Sequence, residues 1–244
     1  ASEGPLDSSR TIVYKEAQFY MIAVSALVVT FSLAVIYFPT SGPPALGGRV
    51  TRPLALIPLL LYALYLFIQW QDVSDHEADE AGDISVGRQW GKLVVGLLVI
   101  LVTVEQLVGA VEGLAHTFDI PAFLAGVTII AAATSLPDTL VSVRAARAGK
   151  GLTSLGNVLG SNTFDLLVAI PLGVLIAGVA PIDFAVAVPM MGVLTLATVL
   201  LFAFLRTDLS LTGAEAFALL VAYVLFLVWV VAESVGLLHL IQGV

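Results

Sequence analysis

The chain has 244 residues, of which 59% are hydrophobic and 11% charged, with a net charge of -8 and no cysteine. Soluble domains carry about 25% charged residues, so the composition is that of an integral membrane protein. Without cysteine there are no disulfides, thiolate metal sites or thiol redox chemistry, and His76, His116 and His239 stand too far apart to suggest a metal cluster.

Apolar runs of about 18–25 residues select spanning helices over the alternating ten-residue strands of a barrel. Hydropathy predicts an all-α integral membrane fold with seven spans. After a polar N-terminal segment, 1–17, the first two spans cover 18–38 and 53–70 and are separated at Gly42-Pro43-Pro44. An acidic connection, 71–90, leads to a block of five further spans within 91–235: 91–113, 121–143, 153–178, 182–205 and 214–235, followed by a tail, 236–244. Pro121 opens the fourth span, Gly149-Lys150-Gly151 breaks the fourth from the fifth, and Pro181 opens the sixth.

Basic residues set the orientation. Arg10, Lys15, Arg88, Lys92, Arg144, Arg147, Lys150 and Arg206 fall on the side of the N-terminus, against Arg49 and Arg52 on the other. Eight against two predicts a multi-pass cell-membrane protein with a cytoplasmic N-terminus and an extracellular C-terminus. The run from Asp72 to Asp83 fails the calcium-loop pattern, because with Gly82 in sixth place the twelfth position is Arg88 rather than Glu. It reads as a solvated cytoplasmic loop. Leu61-Tyr62-Ala63-Leu64-Tyr65-Leu66-Phe67, late in the second span, is echoed by Ala222-Tyr223-Val224-Leu225-Phe226-Leu227-Val228, late in the seventh. The predicted orientation makes these two pairs of spans run in opposite directions, the inverted arrangement of many secondary transporters.

Chemistry concentrates on the fourth and fifth spans. Thr134 and Asp138 are four residues apart on one, and Asn157, Ser161 and Asp165 recur at the same spacing on the other, so each set shares a helix face. Ionisable groups at membrane depth are costly and mark functional sites. Pro137 has no N–H, which frees the carbonyl of Ala133 and predicts a kinked or unwound turn before it. Carboxylates, hydroxyls and freed carbonyls form an all-oxygen lining suited to a hard cation. Two carboxylates about 6 Å apart repel by about 3 kcal/mol at an effective dielectric near 20, so such a site takes up a proton or a metal ion. Neither span carries a Lys or Arg at depth to pair with them. Gly156 and Gly160 are spaced to let the fifth span approach a neighbour closely. Glu105, midway along the third span, reads equally as a pathway residue or as a hydrogen-bond partner of a neighbouring helix. Glu112, Asp183, Glu215 and Glu233 lie near span ends, where solvation explains them.

Thr134-Ser135-Leu136-Pro137-Asp138 resembles the G-T-S-L-P-E signature of the sodium/calcium exchanger (cation/calcium antiporter) superfamily. Gly156-Asn157-Val158-Leu159-Gly160-Ser161-Asn162-Thr163-Phe164-Asp165 resembles its G-N-[IV]-[IV]-G-S-N-[IV]-F-[ND] signature, and Gly113 to Gly126 is similar to the approach segment. The resemblance implies a fold of ten helices in two inverted halves, each carrying one such pair of motifs. It implies ion binding where the pairs meet, and sodium-driven calcium export by alternating access. The metal ligands it implies are Asp138 as the bridging carboxylate, Asp165 as a further carboxylate, the hydroxyls of Thr134, Ser135 and Ser161, and the carbonyl of Ala131. Asn157, Asn162 and Pro137 act behind them. The transported ions are Ca2+ and Na+, and no cofactor is expected. Asp138 replaces the family glutamate and Ala133 the family glycine, which keeps proton or potassium coupling open as the alternative. The first copy of the motifs is absent from this sequence, so the seven spans match the fourth to tenth helices. The expected partner is the N-terminal part of the exchanger, its first three helices, from the same precursor or a second chain, within a lipid bilayer and without nucleic acid. A retinal pigment or receptor is disfavoured because the last span has no lysine for a Schiff base, and a non-transporting subunit would need neither motif.

Overall fold

In a computed structural model of the chain, residues 6–7, 9, 12–42, 46–74 and 85–240 are described. Among the described residues seven helices are long and apolar enough to cross a membrane. They are α1 (Ala17–Tyr37), α2 (Arg52–Ser74), α3 (Val86–Thr117), α4 (Phe123–Arg147), α5 (Gly151–Ala177), α6 (Phe184–Arg206) and α7 (Gly213–Ser234). All seven predicted spans are present. At 1.5 Å per residue the 32 residues of α3 reach about 48 Å, well beyond a hydrocarbon core of about 30 Å, so α3 outruns its apolar window at both ends.

The helix ends are built from local chemistry. Behind α4, Gly149 takes φ +72°; its N–H donates to the Ala146 carbonyl (3.0 Å), and Lys150 N–H to the Ala145 carbonyl (2.9 Å). That double closure is a glycine-terminated Schellman turn. Pro181 does not open α6 as expected: it lies in a strand, and α6 begins at Phe184 with Asp183 as its cap, accepting from Ala185 N–H at 2.9 Å. At the start of α7, Thr212 and Glu215 form a reciprocal capping box. Both acids therefore sit near span ends for a structural reason and not for solvation alone.

Among the described residues four short strands, none predicted, join the connections. β1 (Leu6–Asp7) pairs with β4 (Ser210–Leu211), and β2 (Gly47–Thr51) pairs with β3 (Val179–Asp183), both antiparallel. The α1–α2 and α5–α6 connections thus share one end, and the N-terminal strand and the α6–α7 connection share another. Pro181 is tolerated because each strand of a two-stranded ladder is an edge. Gly48 is required by close approach: a Cβ there would stand 2.7–2.8 Å from the backbone of Ala34 and Val35. Arg52 Nε donates to the Leu175 carbonyl at 3.1 Å, satisfying a carbonyl that the end of α5 would leave unpaired.

The chain divides into two compact units, 1–67 with 137–244, and 68–136. The larger is cored where Tyr20, Val24 and Leu27 of α1 meet Leu159 and Leu167 of α5. A second cluster joins Leu155, Leu205 and Leu211, and a third joins Ala34, Val50, Ala55 and Val174 beneath the β2–β3 ladder. In the smaller unit α3 buries Val111 alone along its length, Ala125 being buried beyond it, while Leu93 to Val102 are exposed. A helix that is apolar all round and uncovered by its own chain belongs in lipid or against another membrane helix.

Candidate functional site

In the smaller unit the approach to the first motif is a π-helical turn, Gly126–Ile130, after which Ala131–Arg147 runs as α-helix. The turn before Pro137 is not unwound; it stays α-helical. A proline deletes one donor, and the flanking helical bonds hold the turn; the irregularity lies further upstream, in the wider turn. Such single π turns concentrate at functional sites. Thr134 Oγ1 donates to the carbonyls of Ile130 (3.0 Å) and Ala131 (3.2 Å), which orients one predicted ligand through another. Ala131, Thr134 and Ser135 are all exposed.

In the larger unit Asn157 ties α5 to α4. Its Nδ2 donates to the carbonyl of Asp138 at 3.3 Å and to Ser142 Oγ at 3.0 Å. Ser142, only 7% exposed, was missed in the sequence, although it sits four residues beyond Asp138 and so on the same face. Ser161 Oγ donates to the Val158 carbonyl at 3.3 Å, and Ser161 and Asn162 are partly buried. Asp165 opens a second π turn, Asp165–Ala169. The ring of Pro171 would crowd the carbonyl four residues back, at Leu167, and a widened turn there relieves it. Asp165 lies within electrostatic reach of Asp138 and of Tyr20. Both carboxylates are exposed.

Gly160 does not mediate a close approach among the described residues: nothing lies within 4 Å of where its Cβ would be. Glu105 is exposed on α3. Glu112, with His116 and Asp119, lines a cavity of about 630 Å3 in the smaller unit, floored by Ala125 and Ile130. Glu233 is 3% exposed, so solvation does not account for it; the end of α7 packs against its own chain instead. Residues 75–84 of the acidic connection lie outside the described residues. Among the described residues no three Asp, Glu or His side chains converge as a metal centre.

Residues 88–232 match the family model described as "Sodium/calcium exchanger protein". The sodium/calcium exchanger MaX1 of Methanosarcina acetivorans is 33% identical over 138 residues, 56% of this chain and 39% of that protein. The chain therefore spans about two fifths of the length of that relative. A solved structure of the sodium-calcium exchanger NCX_Mj superposes with TM-score 0.59 at 24% identity, covering 91% of this chain and 66% of that one. The crystal structure of the H+/Ca2+ exchanger CAX gives 0.61 at 21% identity, covering 92% and 57%. These two share the fold, and the chain is a seven-helix, multi-pass portion of it. By the match of 88–232, which runs from the start of α3 to the end of α7 and takes in both motifs, the chain belongs to the sodium/calcium exchanger family of ion transporters.

Proposed function

We propose that this chain supplies one half of the ion site of a secondary antiporter that exchanges sodium for calcium by alternating access. The observation that carries the reading is the position of Asp138 and Asp165. Both are exposed on the helices of an apolar bundle, within electrostatic reach of one another, with no lysine or arginine in α4 before Arg144 and none in α5. Uncompensated carboxylates at membrane depth are stable only with a cation or a proton. The chain's ligand set is Asp138, Asp165, Thr134, Ser135, Ser161 and the Ala131 carbonyl. That is too few oxygens from one side to enclose calcium, which takes 6–8. The remaining ligands come from the first three helices of the exchanger, carrying the other copy of the motifs. The N-terminal side faces the cytoplasm, as the eight-to-two bias of basic residues requires.

The test is calcium uptake by vesicles holding the complete exchanger and loaded with sodium. Uptake should follow the imposed sodium gradient, and Asp138→Asn should abolish it. Uptake that ignores sodium but follows an imposed proton or potassium gradient would replace the coupling ion while keeping the site. Wild-type rates in Asp138→Asn would remove the site itself.

A further inference from the structure

A row of aromatic rings runs through the larger unit toward the second motif. Tyr65 of α2 donates its hydroxyl to Glu16 Oε2 at 2.7 Å, just ahead of α1. Its ring lies 4.5 Å from that of Phe19 and 5.8 Å from that of Tyr62, one turn further along α2. Tyr62 in turn meets Phe164 of α5 edge-on, with centroids 5.9 Å apart and planes at 80°. Phe164 immediately precedes Asp165 and leads into the π turn.

We propose that Tyr62 is a positioning residue for the ion site: it holds the ring of Phe164 and thereby fixes where Asp165 presents its carboxylate. The inference rests on the antiporter reading above. Downstream of Asp165 the backbone is already fixed, because Leu166, Leu167 and Val168 are 7%, 0% and 9% exposed. Upstream, Phe164 is 45% exposed, and the edge-to-face contact with Tyr62 is its restraint toward α2. An edge-to-face pair has a preferred geometry, so it sets an angle as well as a distance. The charge-assisted bond from Tyr65 to Glu16 is of the stronger kind; it anchors the row at the start of α1. The hydroxyl of Tyr62 plays no part in this restraint, which rests on the ring edge.

The experiment is calcium-dependent uptake by the complete exchanger in sodium-loaded vesicles. Tyr62→Ala and Tyr62→Leu should each raise the half-saturating calcium concentration about three- to tenfold, the range of an aromatic pair, while maximal rate changes little. Tyr62→Phe should match wild type. Phe164→Leu should reproduce the shift, and the double variant Tyr62→Leu with Phe164→Leu should shift no further than either alone. General damage to the bundle would lower maximal rate and melting temperature together instead. Wild-type half-saturation in Tyr62→Leu, additive shifts in the double variant, or a Tyr62→Phe as impaired as Tyr62→Leu would each overturn the proposal. In all three cases an active wild type leaves the antiporter reading standing. A wild type whose calcium uptake follows no imposed cation gradient overturns both.

Discussion

Replacing Gly48 with alanine places a methyl group where β2 crosses α1. The added carbon would stand 2.7 Å from Val35 N and 2.8 Å from Ala34 C and Val35 Cα, against 3.4 Å or more for ordinary contact. All three neighbours are backbone, so no side chain can swing aside, and the strand must retreat by about 0.7 Å to reach that distance. Retreat strains the Arg49 N–H bond to the Phe38 carbonyl (2.9 Å), the Thr40 N–H bond to the Gly47 carbonyl (3.0 Å) and the register with β3. Overpacking of this kind costs about 1–3 kcal/mol. At roughly 2–4 °C per kcal/mol for a chain of this size, Gly48→Ala should melt several degrees below wild type. Gly48→Val should be worse, since the branch points add volume at the same place. The assay is thermal unfolding of the purified protein in detergent, followed by tryptophan fluorescence. A Gly48→Ala variant with an unchanged melting temperature would show that β2 does not seat on α1 as described.

Asn157→Ala removes two neutral hydrogen bonds, each with a net contribution of about 0.5–1.5 kcal/mol. It should lower the melting temperature and also weaken calcium half-saturation, because the Asp138 backbone loses its tie to α5; a change in melting alone would make Asn157 purely structural. Asp183→Ala deletes the cap of α6 and should destabilise by about 1 kcal/mol, whereas Asp183→Asn, which keeps an accepting oxygen, should recover most of the loss in the same melt. Gly160→Ala meets open space within this chain and should leave its own helix content intact by circular dichroism. If the proposed first three helices are the neighbour for which a small residue is needed, co-purification with them should fall; unimpaired co-purification would refute that assignment.

The spans were legible because burial in lipid asks one thing of a segment, sustained apolarity, and the segments from Tyr14 to Ser234 meet it locally. The motif residues were legible for the complementary reason, since Asp138 and Asp165 are costly where they stand. The ladder between β2 and β3 was not, because it pairs segments far apart in sequence whose glycines and proline read locally as turns. Pro137 sits within continuous α-helix, whereas Pro171 follows the π turn Asp165–Ala169, a contrast that a lone proline in an apolar run does not announce. Glu233 misled for a related reason: position near a span end predicts solvation only if nothing packs there.

The two short ladders constrain how this half can move. β2–β3 staples the far ends of α1 and α5 to the near ends of α2 and α6, and β1–β4 closes the opposite end. A slip of either ladder by one residue would turn every side chain in it to the other face, so sliding between these helices has no cheap intermediate. In the proposed exchanger, α1, α2, α5 and α6 would travel as a single block, and the strokes that open and shut the site would have to come from helices that carry no such staple.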